Sequence, residues 1–374
     1  MLTLNKYDDQ FLCLYADCIP VKGAFRSAIY DLTRNEMVFF PSDYWEILEY
    51  LTSDQLDKQL SALENKEEKE QVIAFIEFLK CEELIHFCKD PARFPPLDEH
   101  WEIPSLIQNA IIDVDNIEHD FRSIFQQLDE VECQFVQIRC FSSLLNLKKI
   151  NELLCDGYNT SIESIELLLP YDSSMADPLY IQLIEQQPII SSLILHSAPE
   201  NRSIKVDYDC DAERSEYIEK SIVVTMQVID SASHCGLIRQ NSLCAPTVST
   251  FFENTLYNGC LNKKVSVDAN GDIKNCPSMN VSFGNIKNSR LVDAVHMNDF
   301  KEMWKINKDQ IETCKDCELR YACTDCRAFL KNPENIYSKP LKCGYDPYTA
   351  TWQEWSKHPM KEETLTYYGS GIAV

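Results

Sequence analysis

Residues 314–326 read CKDCELRYACTDC, and Cys343 follows at a distance. A Cys-x2-Cys turn brings two thiolates to the same side of the chain, where one ion can take both. Two such pairs in thirteen residues mark a metal site. Upstream, Cys260 and Cys276 bracket Lys264–Val267, the run Asp268-Ala-Asn-Gly271, and Ile273. That order predicts a hairpin, which would return Cys276 almost to Cys260. With Cys314, Cys317, Cys323, Cys326 and Cys343 these make seven candidate ligands. Cys235, in His234-Cys235-Gly236, or Cys244 would make eight. Eight thiolates are two four-cysteine sites, suited to zinc or to an iron–sulfur cluster. Spacing alone leaves that choice open.

The surrounding composition sets this part apart. The chain has 374 residues, 17 cysteines and a formal charge of −24. Residues 1–259 carry 19 basic and 44 acidic groups, whereas residues 260–350 carry 14 and 12. Lys263, Lys264, Lys274, Lys315, Arg320 and Arg327 supply countercharge for an anionic centre. Such acidity elsewhere argues against nucleic-acid partners, since no excess of cations can displace counterions. No apolar run reaches 18 residues and no basic-then-apolar leader opens the chain, so neither a membrane nor a secretory route is expected. In the expected cytoplasmic setting thiols stay reduced, and ligands are favoured over disulfides. No glycine-rich phosphate loop is present.

Residues 1–95 read as a β-then-α unit. Strands are expected at Phe11–Ala16, Ser27–Leu32 and Glu36–Phe40, then a helix carrying Tyr44, Ile47, Leu48 and Leu51. A second helix has Val72, Phe75, Ile76 and Leu79 on one side, and a short strand follows at Leu84–Phe87. Pro91, Pro95 and Pro96 mark a linker. In residues 96–230, strands at Ala110–Val114, Phe135–Cys140, Ser164–Leu169 and Ser192–Leu195 recur every 25–29 residues. The amphipathic stretches between them include Phe121, Ile124, Phe125 and Leu128, then Leu144, Leu147, Ile150 and Leu154, then Tyr180, Leu183 and Ile184. This alternation predicts a parallel sheet covered by helices, too short for a full eight-unit barrel. Ile222–Val228 reads as a further strand. Residues 231–350 form the cysteine-rich region, and 351–374 a tail.

The cysteine pattern from Cys260 to Cys343 resembles a SPASM domain, the C-terminal extension of peptide-modifying radical SAM enzymes. The segments CLNKKVSVDANGDIKNCPSM, CKDCELRYACTDCRAF and KPLKCGYDPYT are more similar still to the SPASM maturases of grasp-with-spasm systems. The resemblance implies two [4Fe–4S] clusters rather than the alternative, two zinc ions. One would sit on Cys314, Cys317, Cys323 and Cys343; the other on Cys260, Cys276, Cys326 and Cys235, preferred over Cys244. It also implies a precursor-peptide partner and an ATP-grasp ligase partner. Residues 1–95 resemble a RiPP recognition element, a winged-helix-like module. That resemblance places a leader peptide beside Glu36, Met37, Val38, Phe39 and Phe40 and against Val72, Phe75 and Ile76. The fold class is thus α/β: a truncated, degenerate radical-SAM-like partial barrel between that module and the SPASM domain.

The chain departs from the family in two places. Cys323 and Cys326 are separated by two residues where three are usual. After Ala110–Val114 it reads Asp115-Asn-Ile-Glu-His119, with no Cys-x3-Cys-x2-Cys triad anywhere. S-adenosylmethionine is therefore not among the expected cofactors. Three readings follow: a cluster-bearing peptide-maturation protein, a maturase with unconventional cofactor use, or a zinc-stapled scaffold that docks a peptide. Cys13, Cys18, Cys81, Cys88, Cys133, Cys140 and Cys155 sit among apolar residues and read as small buried hydrophobes. His234 is a turn residue or a donor to a cluster sulfur, and His119-Asp120 pairs with no nucleophile. Trp304, Trp352 and Trp355 read as packing residues.

Overall fold

The computed structural model describes residues 9–117, 119–142, 145–206 and 220–353. Leu144, Trp355 and the tail from 354 onward lie outside the described residues. The chain forms two compact units. One holds residues 9–102, 238–259 and 306–353; the other holds 103–237 and 260–305.

The first unit begins with β1 (Phe11–Leu14), β2 (Cys18–Val21), β3 (Arg26–Asp31) and β4 (Glu36–Pro41). Strands β2, β3 and β4 form an antiparallel sheet in that order, turned between β3 and β4 by Asn35 at φ 55°. Three helices follow: α1 (Trp45–Ser53), α2 (Leu56–Ala62) and α3 (Lys66–Cys81). The Asn65 side chain caps α3, accepting from the backbone N–H of Glu67 at 2.9 Å and of Glu68 at 3.4 Å. Val72, Phe75, Ile76 and Leu79 repeat at helical spacing, and all four are buried against Phe40, Leu48, Leu51 and Leu60. Strand β5 (Ile85–Cys88) then returns to pair with β1. The expected strands and long helix are found within a few residues. The additions are β2, whose Pro20 argues against a strand in sequence but is tolerated at a sheet edge, and the short α2.

The second unit runs β6 (Asn109–Val114), α4 (Phe121–Asp129), β7 (Phe135–Cys140), α5 (Leu147–Gly157), β8 (Ser164–Pro170), α6 (Asp177–Gln186), β9 (Ile190–His196), β10 (Arg202–Val206) and β11 (Lys220–Val224). After α7 (Val248–Leu256) of the first unit come β12 (Lys264–Val267), β13 (Ile273–Lys274), α8 (Leu291–His296) and α9 (Asn298–Glu302). The eight-stranded sheet has the order β10-β11-β9-β8-β7-β6-β12-β13. Every pairing from β11 through β12 is parallel, and only the outermost strands run antiparallel. The α/β class with a mostly parallel sheet is thus as the alternation predicts. The hairpin around Gly271 (φ 89°) is also present, but it joins this sheet through β6.

One sheet face is apolar. Ala110, Ile112 and Val114 of β6 pack with Ile124, Phe125 and Leu128 of α4 in the main core. Alternation sends Asn109, Ile111 and Asp113 to the opposite face. No helix of the described residues is long and apolar enough to cross a membrane.

Two outcomes follow for the first unit. Replacing the α3 cap, Asn65→Ala, is expected to cost about 1 kcal/mol in urea denaturation. At the end of β3, Asp31 accepts from the Arg34 backbone N–H at 2.7 Å and the Arg34 Nε at 2.6 Å. Burial alone would raise this carboxyl, but Arg34 outweighs it and holds it below the usual range. Its stabilisation is therefore present above the unfolded value of about 3.9 and lost as pH falls through the depressed native value. Thermal melts below pH 4 should show a shallower decline for Asp31→Asn than for the parent.

Candidate metal centre

Four of the predicted ligands gather in the first unit. Cys314 opens a single 3-10 turn over Cys314–Asp316, closed by the Cys317 N–H donating to the Cys314 carbonyl at 3.0 Å. Thr313 and Asp325 take left-handed backbone (φ 67° and 66°), bending the loop at each end. Cys343 is held by a bridge to Ile238. Burial pushes the Cys314 thiol up to about 11, with Cys323 and Cys343 adding to the rise. Burial likewise drives Cys317 well above its ordinary value, and Cys343 upward, each reinforced by Cys323. The four thiols therefore share one electrostatic neighbourhood. Among the described residues, no three of their sulfurs lie within 4.8 Å of one another.

This neighbourhood has a built-in positive charge. Lys308 Nζ lies 3.0 Å from Asp325 Oδ1, and an Arg327 terminal nitrogen lies 2.8 Å from the same oxygen. All three side chains are almost wholly buried. Asn258 Nδ2 donates to the second Asp325 oxygen at 2.6 Å. Two cations share one carboxylate, so one positive charge remains. Burial opposes the Lys308 ammonium, but Asp325, and then Cys323 and Cys314 once ionised, raise its pKa well above the ordinary value. Among these, only Arg327 belongs to the countercharge expected from the sequence; Lys308 stands outside the cysteine motif, and Asp325 is acidic.

Glu318, within the cysteine run, ties that loop to the sheet. Its side chain is fully buried, accepting from Arg26 Nε of β3 at 2.6 Å and from the Tyr345 hydroxyl. The Tyr30 hydroxyl donates to the Glu318 carbonyl at 2.7 Å. Gly23 is required here: a Cβ would lie 2.2 Å from the Arg26 carbonyl oxygen and 2.9 Å from the Glu318 Cβ.

The second unit gathers Cys235, Cys260 and Cys276. The hairpin brings Cys260 and Cys276 together, and the Ser278 hydroxyl donates to the Ala232 carbonyl at 3.0 Å, fastening the Cys235 loop beside them. Burial pushes the Cys276 thiol up to about 12, with Cys260 and then Cys235 contributing. Lys264 Nζ lies 3.7 Å from the Cys260 sulfur, and the negative charge these three cysteines carry when ionised raises its pKa against the cost of burial. Arg139, paired to Asp113 at 2.6 Å, feels Cys235 and Cys276 as well. Cys244 and Cys326 belong to the first unit, where Cys244 is exposed and Cys326 buried. His234 Nε2 donates to the Asp230 carboxylate at 2.9 Å in a short turn. On the polar face of the sheet lies a cavity of 390 Å³ lined by Gln137, Glu166, Ser164, Asn109 and Lys264.

At the expected peptide site, β4 pairs only with β3 among the described residues. Glu36 is exposed, Met37, Val38 and Phe39 are half-buried, and Phe40 is buried. Val72, Phe75 and Ile76 are core residues, with the Phe75 ring tilted against those of Phe40 and Tyr44. The surface left for a partner is the outer backbone edge of β4. Two of the cysteines read as buried are exposed instead: Cys81, at the last residue of α3, and Cys155, on the outer side of α5. His119 is bonded through Nε2 to the Asp113 carbonyl at 2.9 Å, and Asp120 caps α4. Removing the buried carboxylate, Asp325→Ala, would strand Lys308 and Arg327 and is expected to cost about 3–5 kcal/mol in urea denaturation.

Residues 260–318 match the SPASM family model, an iron–sulfur cluster-binding domain. No curated protein matches the chain in sequence. Among solved structures, the chain is similar to Streptococcus suis SuiB, with TM-score 0.36 and 11% identity over 84% of this chain and 95% of that one. SuiB bound to S-adenosylmethionine and SuiB bound to precursor peptide SuiA each give 0.33 and 10%, over 85% and 96%. The chain thus carries a SPASM-type iron–sulfur cluster-binding segment, and its α/β fold is assigned from its own strand order.

Proposed function

We propose that this chain is an iron–sulfur protein acting in the maturation of a ribosomally made peptide, which it binds along β4. The observation that carries the reading is the gathering of Cys314, Cys317, Cys323 and Cys343, three of them beside buried Lys308, in the same compact unit as the open β4 edge. Tetrahedral zinc with Zn–S bonds of about 2.3 Å would hold its sulfurs about 3.8 Å apart. No three of these four sulfurs lie that close, and the match of residues 260–318 to an iron–sulfur cluster-binding model supports a [4Fe–4S] cluster over zinc. In the second unit, Cys235, Cys260 and Cys276 form the start of a second ligand set.

When bound, a cluster supplies one-electron chemistry or a fixed anionic charge. The chain's own residues do the rest. Their thiolates bind iron after losing their protons, and the remaining charge of the Lys308–Arg327–Asp325 group and of Lys264 offsets the negative centre. Strand β4 offers main-chain donors and acceptors to an added strand, and Met37, Val38 and Phe39 supply selectivity. We read the module of residues 9–95 as a RiPP recognition element and the parallel sheet as a reduced radical-SAM-type barrel. The segment after β6 supplies no thiols, so no S-adenosylmethionine step is assigned. An ATP-grasp ligase is the expected partner, on the strength of the motif resemblance.

Anaerobic reconstitution with iron and sulfide should load about eight irons per chain, and Cys314→Ser with Cys317→Ser should remove about half. Stoichiometric zinc in place of iron would sink the cluster reading. Peptide binding has its own readout. Adding the short peptide encoded beside the gene should slow amide hydrogen exchange across residues 36–41. Unchanged exchange there, with binding detected elsewhere, would overturn the β4 assignment.

A further inference from the structure

Strands β1 and β5 place a second set of soft ligands in the first unit, apart from the SPASM cysteines. Their antiparallel register sets Cys13 opposite His86 and Phe11 opposite Cys88. Alternation then puts Leu12, Leu14, Ile85 and Phe87 on the face toward the core, where all four pack. Cys13, His86 and Cys88 share the other face. Their ligand atoms all lie within 4.8 Å of one another, and the two sulfurs are 3.5 Å apart.

We infer that Cys13, His86 and Cys88 form a site for a single zinc ion. Three observations converge on it. First, the sulfur spacing suits two thiolates on one ion, which Zn–S bonds of about 2.3 Å would hold about 3.8 Å apart. A disulfide would need the sulfurs at about 2.05 Å. Second, both ring nitrogens of His86 are buried and have no hydrogen-bond partner. A buried imidazole left in that state loses its hydration without return, and a metal bond at one nitrogen would satisfy it. Third, the ring is fixed in place by Tyr15, centroid to centroid 5.0 Å, and by Phe94 at 4.6 Å. Two thiolates and one imidazole are a common zinc donor set.

Cys13 also lines a cavity of 750 Å³ together with Tyr15, Phe94, Phe251 and Tyr321. The fourth coordination position is left to water or to a donor entering from that cavity. Binding replaces the two thiol protons, which pass to solvent as the zinc–sulfur bonds form. The ion would join β1 to β5 across 75 residues of chain, clasping the sheet and helices between them. This inference stands independently of the proposed function, because none of its ligands belongs to the SPASM pattern.

The test uses the full chain, loaded with iron and sulfide anaerobically, exposed to one equivalent of zinc and then desalted. The parent should retain about one zinc per chain, with X-ray absorption showing two sulfurs and one nitrogen in its first shell. Cys13→Ser with Cys88→Ser should lose that zinc while keeping its iron. His86→Ala should lose it too, and His86→Cys should recover it through a three-sulfur shell, which separates ligation from a folding defect. Zinc retained equally by all variants, or absent from the parent, would overturn the site. A Cys13–Cys88 disulfide recovered from the reductant-treated parent would overturn it as well. Failure of iron loading alone would count against the cluster reading and leave this zinc assay readable.

Discussion

A single buried carboxylate decides where the cysteine loop of the first unit lies. Glu318 stands between Cys317 and the second half of the loop, yet its side chain is turned inward to Arg26 and Tyr345. A carboxylate out of water is costly unless it is paired, and a guanidinium together with a phenol meets that cost. Because Arg26 belongs to β3, the pairing fixes the loop to the centre of the three-stranded sheet. The Tyr30 hydroxyl on the Glu318 carbonyl and the close approach at Gly23 hold the same juncture. Cysteine loop and β4 are thereby both anchored to β3.

Charge explains much of what surrounds the thiols. Burial keeps Cys314, Cys317, Cys343 and Cys276 protonated in the absence of an ion, so a positive neighbour is needed wherever a negative centre is to be held. Each thiol group has one. In the first unit it is the surplus cation of the Lys308–Asp325–Arg327 triad; in the second it is Lys264, with Arg139 balanced by Asp113. The two arrangements reach the same result differently, one through a buried ionic network and the other through a lysine laid against a sulfur.

Sequence periodicity revealed the elements better than their partnerships. The strands of the second unit were legible because one face of each is a run of Ile, Leu and Val between amphipathic helices. The hairpin of Cys260 and Cys276 was legible because Gly271 sits where a left-handed backbone is needed. That β12 pairs with β6 carries no local signal, since the two are far apart in the chain. The pairing of Cys13 with His86 was hidden for the same reason: shared facing depends on a register known only once β1 meets β5. Lys308 carries no signal in sequence because it lies outside the motif and its role depends on burial, and Cys81 and Cys155 are exposed because apolar neighbours in sequence need not be neighbours on a helix face.

The distant partnership of β6 has a consequence during synthesis. About 150 residues must emerge after β6 before β12 can reach it, which takes roughly 8–30 s at ribosomal rates of 5–20 residues per second. Through that interval the nascent sheet has an open, hydrogen-bond-hungry border that any other extended polypeptide could adopt. Arrival of the hairpin pairs this border and brings Cys260 and Cys276 into place in one event, so the thiol pocket is born as the exposed strand gains its neighbour.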